Sequence, residues 1–136
     1  MAKLYKTTTQ KTPDEFIGDF KQNAKSQGFI VRKVFNMMEE FKSHGVEVDE
    51  KCEFHSIMVC NPQKAYKSIR ENPIRGAILL PPKQVVVYKD DEGKTNIAYL
   101  ALGTRIVSEL LPEDKKFQKG LPESCEKIIK LIDGVK

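Results

Sequence analysis

The sequence has few cysteines, and they lie far apart. Cys52, Cys60 and Cys125 form no Cys-x-x-Cys motif, and their number is odd. This pattern argues against a disulfide framework, and the spacings of the cysteines and the two histidines match no structural zinc pattern. We therefore predict no metal, no cofactor and a location in the reducing cytoplasm.

Long apolar runs and several well-known motifs are also missing. The longest apolar run, residues 77–80, is far too short to span a membrane, and residues 1–6 lack the apolar core of a signal peptide. No Gly-x-Gly-x-x-Gly, P-loop, Gly-x-Ser-x-Gly or His-Glu-x-x-His pattern is present. We predict no association with a membrane, and the enzyme classes that these motifs mark are disfavoured.

The charge of the chain is nearly balanced. Its 136 residues include 23 Lys and Arg against 19 Asp and Glu, which gives a net charge of +4. Acidic and basic residues are interleaved, as in segments 39–42 and 113–116. A nucleic-acid-binding protein more often gathers its basic residues in one run or on one face. The pattern predicts a mixed, solvated surface and argues against nucleic acid as a partner.

Capping signals and hydrophobic periodicity predict one α+β domain over residues 1–136. Thr12-Pro13-Asp14-Glu15 has the pattern of a capping box. Helices are predicted over 13–27, from Asn36, from Asn61 and over about 122–133. Strands are predicted over 4–10, 29–35, 52–59, 85–88 and 95–100. Residues 76–80 are expected to be extended or coil. The pattern of residues 102–111 is compatible with either a strand or a helix. The hairpin within this order predicts a two-layer sandwich, a mostly antiparallel sheet with helices packed on one face.

The strand that ends at Cys60 alternates between two faces. We assign its even-numbered residues to the core, namely Cys52, Phe54, Ser56, Met58 and Cys60. The odd-numbered residues form the other face, namely Glu53, His55, Ile57 and Val59. On this assignment His55 points outward beside Glu53, so no thiol–imidazole pair with Cys60 is expected.

The segment Cys60-Asn61-Pro62 is the sharpest candidate site. Asn61 is placed to cap a helix and Pro62 to occupy its first position, so Cys60 lies beside a helix N-terminus. The helix dipole and the free N–H groups favour an anion there, and a cysteine in this position can act as a nucleophile or ligand. Alternatively, Cys60 is a small buried hydrophobic residue and the motif only starts the helix.

Two functions are compatible with this segment, and both stay open. In the first, a non-enzymatic binding or interaction domain holds a small anionic ligand at the Asn61 helix start, with Met37, Met38 and Tyr66 as apolar contacts. In the second, a thiol-dependent enzyme or sulfur carrier uses Cys60. The first has more support because no catalytic constellation of side chains is visible.

The motifs from residue 60 to residue 93 resemble a known family. In order they are Cys60-Asn61-Pro62, Asn72-Pro73, Gly76, Leu79-Leu80-Pro81, Val85-Val86-Val87-Tyr88 and Gly93. The arrangement is similar to that of the domain-of-unknown-function 302 family over about residues 12–110. The resemblance implies a two-layer α+β domain, cytoplasmic and often dimeric, with no established activity. It also implies a possible site at Cys60, Asn61, Pro62 and Pro81.

One position departs from the family pattern. Many members have a cysteine after the Leu-Pro pair, where this chain has Pro82. A dithiol or metal pair with Cys60 is therefore not expected. For the implied homodimer, the apolar faces of the Cys125 helix and of the helix bearing Met37, Met38 and Phe41 are the predicted contact surfaces.

Overall fold

The computed structural model describes residues 2–79 and 83–136. Its strands are β1 (Ala2–Thr9), β2 (Ile30–Asn36), β3 (Phe54–Cys60), β4 (Gln84–Lys89) and β5 (Thr95–Leu102). Its helices are α1 (Pro13–Ser26), α2 (Met37–Ser43), α3 (Pro62–Glu71), α4 (Arg75–Leu79), α5 (Thr104–Leu110) and α6 (Lys115–Asp133). The strands form one antiparallel sheet in the order β1-β5-β4-β3-β2. The predicted α+β fold class is confirmed.

Helix α1 forms where the capping box predicts it. The Thr12 hydroxyl accepts a hydrogen bond from the Glu15 N–H at 3.1 Å, and the Glu15 carboxylate accepts one from the Thr12 N–H at 3.0 Å. Phe16 and Phe20 on its inner face are fully buried, with ring centroids 5.9 Å apart. Gly28 follows the helix at φ +82°, a backbone conformation that glycine adopts without steric cost.

The predicted hairpin is formed by β4 and β5. Val85 pairs with Tyr99 and Val87 with Ile97, and all four side chains are buried on the face that carries the helices. In the turn, Gly93 has φ +78°, as the sequence predicts for this position. This register places one phenol, that of Tyr99, inside the core.

The prediction for the faces of β3 is wrong. Ile57 and Val59 are fully buried and His55 is 6% exposed, whereas Phe54, Ser56 and Met58 are only half-buried and Cys52 is exposed. Cys60 alone of the assigned core set is buried. Both faces of β3 carry apolar residues, so alternation did not distinguish them. The pairing of Ile57 with Val85 and of His55 with Val87 decided which face meets the helices.

Two segments in the second half of the chain also differ from expectation, and a third, which the sequence left open, is now assigned. Residues 75–79 form helix α4 instead of an extended segment. The open segment after residue 102 is helix α5. Helix α6 begins at Lys115, because the Asp114 carboxylate caps it by accepting a hydrogen bond from the Phe117 N–H at 3.1 Å. Pro122, the predicted first residue, therefore lies inside the helix.

The two helices proposed as dimer surfaces have different environments. On α6, Cys125 and Ile132 are at most 1% exposed and belong to the core, so this apolar face is not available to a partner. On α2, Met37 and Met38 are half-buried and Phe41 is 41% exposed. The side of α2 that was predicted to be buried is therefore partly exposed to solvent. Among residues 2–79 and 83–136, no helix combines the length and hydropathy needed to cross a lipid bilayer.

Candidate functional site

A cavity of about 250 Å³ lies where β3 ends and α3 begins. Its walls come from α3, α4 and α6 together with the ends of neighbouring strands. Asn61 caps α3 by accepting the Lys64 N–H at 3.3 Å, and Pro62 occupies the first helical position. The Cys60-Asn61 segment therefore stands at the edge of this cavity.

The inner wall of the cavity is apolar and tightly packed. It includes Val59, Leu79, Tyr99, Phe117, Leu121 and Ile128, each at most 8% exposed. Burial raises the pKa of the Tyr99 phenol, and the neighbouring Cys125 side chain, which shares a hydrogen bond with it, raises that pKa further. Tyr99 is therefore neutral at physiological pH, and this wall presents no charge to a ligand.

The mouth of the cavity is cationic. Its basic side chains are Lys64, Lys67, Lys83, Lys116 and Lys127. Glu71 and Glu123 are the carboxylates of this lining. Arg75 also belongs to the lining, but it is buried and paired with Asp114, so five lysines against two carboxylates leave an excess of three positive charges here. The fold therefore brings together basic side chains that are interleaved with acidic ones along the sequence.

Two of these lysines, Lys64 on α3 and Lys127 on α6, meet at the mouth. The proximity of Lys64 lowers the pKa of Lys127, while Glu123 raises it. Two ammonium groups held together repel each other, and an anion between them relieves that repulsion. This pair is therefore one point of the lining that favours a negatively charged group.

A buried ion pair holds the wall on the α4 side. Arg75, 5% exposed, donates from Nε and from its terminal nitrogen to the two oxygens of Asp114, each at 2.7 Å. Its other terminal nitrogen donates to the Ser68 carbonyl at 3.1 Å and to Glu71 at 3.2 Å. Since Asp114 also caps α6, this network joins α3, α4 and α6. Arg75 holds the pKa of the Asp114 carboxyl well below its usual range.

The Cys60 thiol has a lysine as its neighbour. Cys60 is 5% exposed, and its Sγ accepts a hydrogen bond from Lys83 Nζ at 3.0 Å. His55 lies five residues away near the other end of β3, a distance of roughly 16 Å along a strand. It contacts Glu53 instead, with Nε2 and Oε2 3.0 Å apart.

The expectation that His55 points outward is therefore corrected by its burial beneath α1. Among the described residues, Asp14, Glu53 and His55 form the group whose potential metal-ligating atoms all lie within 4.8 Å of one another. Lys89 Nζ also lies 3.8 Å from Glu53. This cluster is separate from the cavity, and the absence of a metal stays a prediction.

Comparison with known proteins identifies the family. The sequence model of the "Domain of unknown function DUF302" family matches residues 5–135. The chain belongs to the DUF302 family. The match includes α6, which extends beyond the region of resemblance noted from the sequence motifs.

A solved structure gives the same picture of the DUF302 fold. The crystal structure of the uncharacterized conserved protein DUF302 from Bacillus stearothermophilus has a TM-score of 0.78 to this chain, with 21% sequence identity over 98% of each chain. At this identity the similarity concerns the fold. No curated protein matches the sequence.

The structure of this DUF302 domain brings together part of the predicted site. Cys60 and Asn61 line the cavity. Pro62 starts α3 at its edge, Tyr66 is 68% exposed, and neither belongs to the lining. Met37 and Met38 on α2 are not part of the lining either. Pro81 lies outside the described residues.

The residues that sequence reasoning missed come mainly from α6. Lys116, Gly120, Glu123 and Lys127 recur at spacings of three or four residues, which places them on one helical face. Sequence reasoning missed this face because the helix was predicted to start at Pro122, after Lys116 and Gly120. Asp114, followed by a continuous helical pattern, was the available sign of an earlier start.

The buried ion pair predicts a specific acid sensitivity. We expect Asp114→Asn to lower the free energy of unfolding by about 3 kcal/mol at pH 7, because it removes the bidentate partner of buried Arg75 and leaves only the contact to Glu71. A depressed carboxyl pKa stabilises the folded state above the unfolded pKa of about 3.9, and this contribution is lost as the pH falls through the folded pKa. Urea unfolding at pH 7 and pH 3 measures both effects.

Lys116→Gln is the matched control for this variant. It removes the exposed 2.8 Å contact to Glu71 in the same network, and exposed ion pairs contribute little. We expect it to unfold like the wild type. An Asp114→Asn protein that is as stable as the control at pH 7 would show that the pair does not hold the wall.

Proposed function

We propose that this DUF302 protein binds a small organic anion in the cavity between α3 and α6, without catalysing a reaction on it. The observation that carries the proposal is the coincidence of an apolar inner wall with a mouth where five lysines outnumber two carboxylates. A cleft lined by one sign of charge concentrates ligands of the opposite sign. The apolar wall favours a ligand that also has a hydrocarbon part.

The dimensions of the cavity support a small ligand. Its volume of about 250 Å³ is just below the roughly 300–1,000 Å³ of typical sites for drug-sized molecules. At about 30 Å³ for each water-sized group, the space corresponds to about eight such groups. A short-chain carboxylate such as hexanoate has this size and the required charge, and serves as a probe.

Binding of hexanoate is the direct test. At a concentration of about 100 times Kd, a ligand that binds only the folded state stabilises it by about 2.7 kcal/mol. We therefore expect hexanoate to raise the Tm by several degrees, and hexanol, which lacks the charge, to raise it less. Differential scanning fluorimetry measures these shifts.

Reversing one charge at the mouth of the cavity tests whether hexanoate binds there. Lys127→Glu should abolish the hexanoate-dependent shift in Tm, whereas Lys25→Glu should retain it, because Lys25 is exposed on α1 and does not line the cavity. Equal shifts with hexanol and hexanoate, or no shift with any short-chain organic anion, would contradict the proposal.

A thiol-dependent enzyme or sulfur carrier is the second candidate. The specific observation in its favour is the Lys83 ammonium group 3.0 Å from the Cys60 sulfur, at the edge of the same cavity. A cationic neighbour is a common feature of reactive cysteines. All three thiols are free, which also supports our proposed cytoplasmic location. Cell fractionation that finds the protein outside the cytoplasm would refute that location.

Rates of thiol labelling separate the two candidates. If the protein only binds its ligand, exposed Cys52 should react with iodoacetamide first, while Cys60 and Cys125, at most 5% exposed, should react slowly. Mass spectrometry of the native protein resolves the three sites. Faster labelling of Cys60 than of Cys52, slowed by Lys83→Gln, would favour the thiol function instead.

We also propose a homodimer through the sheet face opposite α1 and α6, here called the outer face. Its half-buried centre is formed by Phe54, Met58, Val86, Tyr88 and Ala98. Charged side chains on this face, Lys6 and Lys33, lie only on the edge strands β1 and β2. An uncharged centre with a polar rim is typical of protein interfaces.

The extent of the outer face supports a second copy of the chain as its partner. Five strands about 4.8 Å apart, with about six residues each at 3.3 Å, give a flat area of roughly 24 by 20 Å. Two such faces approach the lower end of the area buried in specific complexes.

Light scattering after size-exclusion chromatography tests the dimer. We expect twice the chain mass of 15.5 kDa for the wild type and a monomer for Leu100→Glu, because that change places a charge on the outer face. Leu110→Glu is the matched control, since Leu110 is 54% exposed on α5, away from this face. A wild-type monomer, or a Leu100→Glu dimer, would reject this interface.

A further inference from the structure

The pairing of two strands brings Lys83 to the Cys60 thiol. Strand β3 ends at Cys60, and Lys83 directly precedes β4, its antiparallel neighbour. Met58 pairs with Gln84 at this end of the register, so Cys60 and Lys83 lie at the same end of the strand pair although 23 positions separate them in the sequence. Lys83 Nζ is 3.0 Å from Cys60 Sγ. The fold therefore holds an amine nitrogen against a thiol sulfur.

Both side chains line the cavity, which gives a small oxidant access to the sulfur. Cys60 is 5% exposed, and Lys83 is half-buried. A water molecule takes up about 30 Å³ in the liquid, so a cavity of about 250 Å³ has room for hydrogen peroxide. Bulkier thiol reagents reach Cys60 less readily than exposed Cys52. An oxidant in the cavity meets the Cys60 sulfur with a lysine nitrogen already in contact.

The chemistry of oxidised cysteine favours that nitrogen as the next reactant. Peroxide converts a reactive cysteine to a sulfenic acid, which then condenses with a thiol to a disulfide or with a nitrogen to a sulfenamide. A cationic neighbour such as Lys83 is typical of cysteines that react in this way. Of the other thiols, Cys52 lies on the connection before β3, and Cys125 shares a hydrogen bond with Tyr99. The nitrogen of Lys83 is therefore the favoured partner of an oxidised Cys60.

We propose that Cys60 and Lys83 form a redox-modification site, at which hydrogen peroxide links the two side chains through a sulfenamide S–N bond. The O–O bond of the peroxide breaks first. One hydroxyl group bonds to Sγ, which loses two electrons to the peroxide, and the other leaves as water with the thiol proton. The Lys83 ammonium group then releases a proton to solvent, and its nitrogen attacks Sγ. The hydroxyl group on sulfur leaves with an N–H proton as a second water.

The modification changes the mouth of the cavity. A sulfenamide nitrogen carries no positive charge, so the link removes Lys83 from the cationic lining and leaves four lysines against two carboxylates. We therefore expect the hexanoate-dependent shift in Tm to be smaller for the cross-linked protein than for the reduced protein. This consequence rests on the proposed anion-binding function, whereas the cross-link itself does not.

Peptide mapping after treatment with hydrogen peroxide tests the cross-link. The protein carries Cys52→Ser, because trypsin otherwise leaves two cysteines on one peptide, residues 52–64. Trypsin does not cleave after a modified lysine. We therefore expect residues 52–64 joined to residues 76–89, with the summed mass of these two peptides less two hydrogen atoms. Fragmentation spectra locate the link and any oxygen added to Met58, and a thiol reductant should separate the peptides.

Two variants separate the oxidation of sulfur from the attack by nitrogen. Lys83→Arg keeps a cation beside Cys60, but a guanidinium group does not lose its proton in proteins. We expect this variant to form sulfenic and then sulfinic acid at Cys60 without a cross-link. Lys67→Arg changes another lysine of the lining and should cross-link like the parent protein. Circular dichroism verifies that each variant is folded.

Each contrary result overturns a different step. An unmodified Cys60 would show that peroxide does not react with this sulfur. A loss of two hydrogens that persists in Lys83→Arg would identify a disulfide with Cys125 instead. A joined product that keeps an oxygen between the two side chains would replace the direct S–N bond by an oxygen bridge.

The hexanoate measurement fails independently of the mapping. A cross-linked protein with an undiminished shift in Tm would refute the effect on the mouth alone. If neither the reduced nor the cross-linked protein responds to hexanoate, the proposed function is contradicted and the modification site stands.

Discussion

The bidentate ion pair between Arg75 and Asp114 is the contact on which the architecture of the site depends. Asp114 begins α6 as its cap, and Arg75 begins α4 and reaches back to the last turns of α3. The two parallel hydrogen bonds between the guanidinium and the carboxylate give the contact a defined geometry, which constrains the direction in which α6 leaves its connection. Arg75 also lines the cavity, so this contact forms part of its wall.

The same network determines which charges at the cavity are available. Arg75 is fully engaged by Asp114, Ser68 and Glu71, and Lys116 is held by Glu71 at 2.8 Å. Lys64 and Lys127 face each other instead, with Glu123 as the carboxylate that acts on Lys127. The lining thus contains cations that a carboxylate already neutralises and a lysine pair for which we propose an anionic ligand. This difference is the physical basis for placing the proposed anion at Lys64 and Lys127.

Local signals predicted the elements that depend on neighbouring residues. The capping box of α1, the Asn61 cap of α3 and the turn at Gly93 are satisfied within three or four residues, and all three were found where expected. The faces of β3 depended on distant partners, and their prediction was wrong because both faces carry apolar residues. The start of α6 was predicted seven residues too late for a local reason, because Pro122 was taken as the first residue and the Asp114 cap was overlooked.

The sequence by itself determined the α+β class and the family, and it singled out Cys60-Asn61, which lines the cavity, since these follow from periodicity, capping and a series of short motifs. Only the tertiary structure decided that the positive excess gathers at one cavity, because its lysines come from α3, α6 and the segment before β4. Interleaved charges along a chain carry no information about their distance in space. That distance is set by the packing of α6 against the sheet and by the ion pair that orients it.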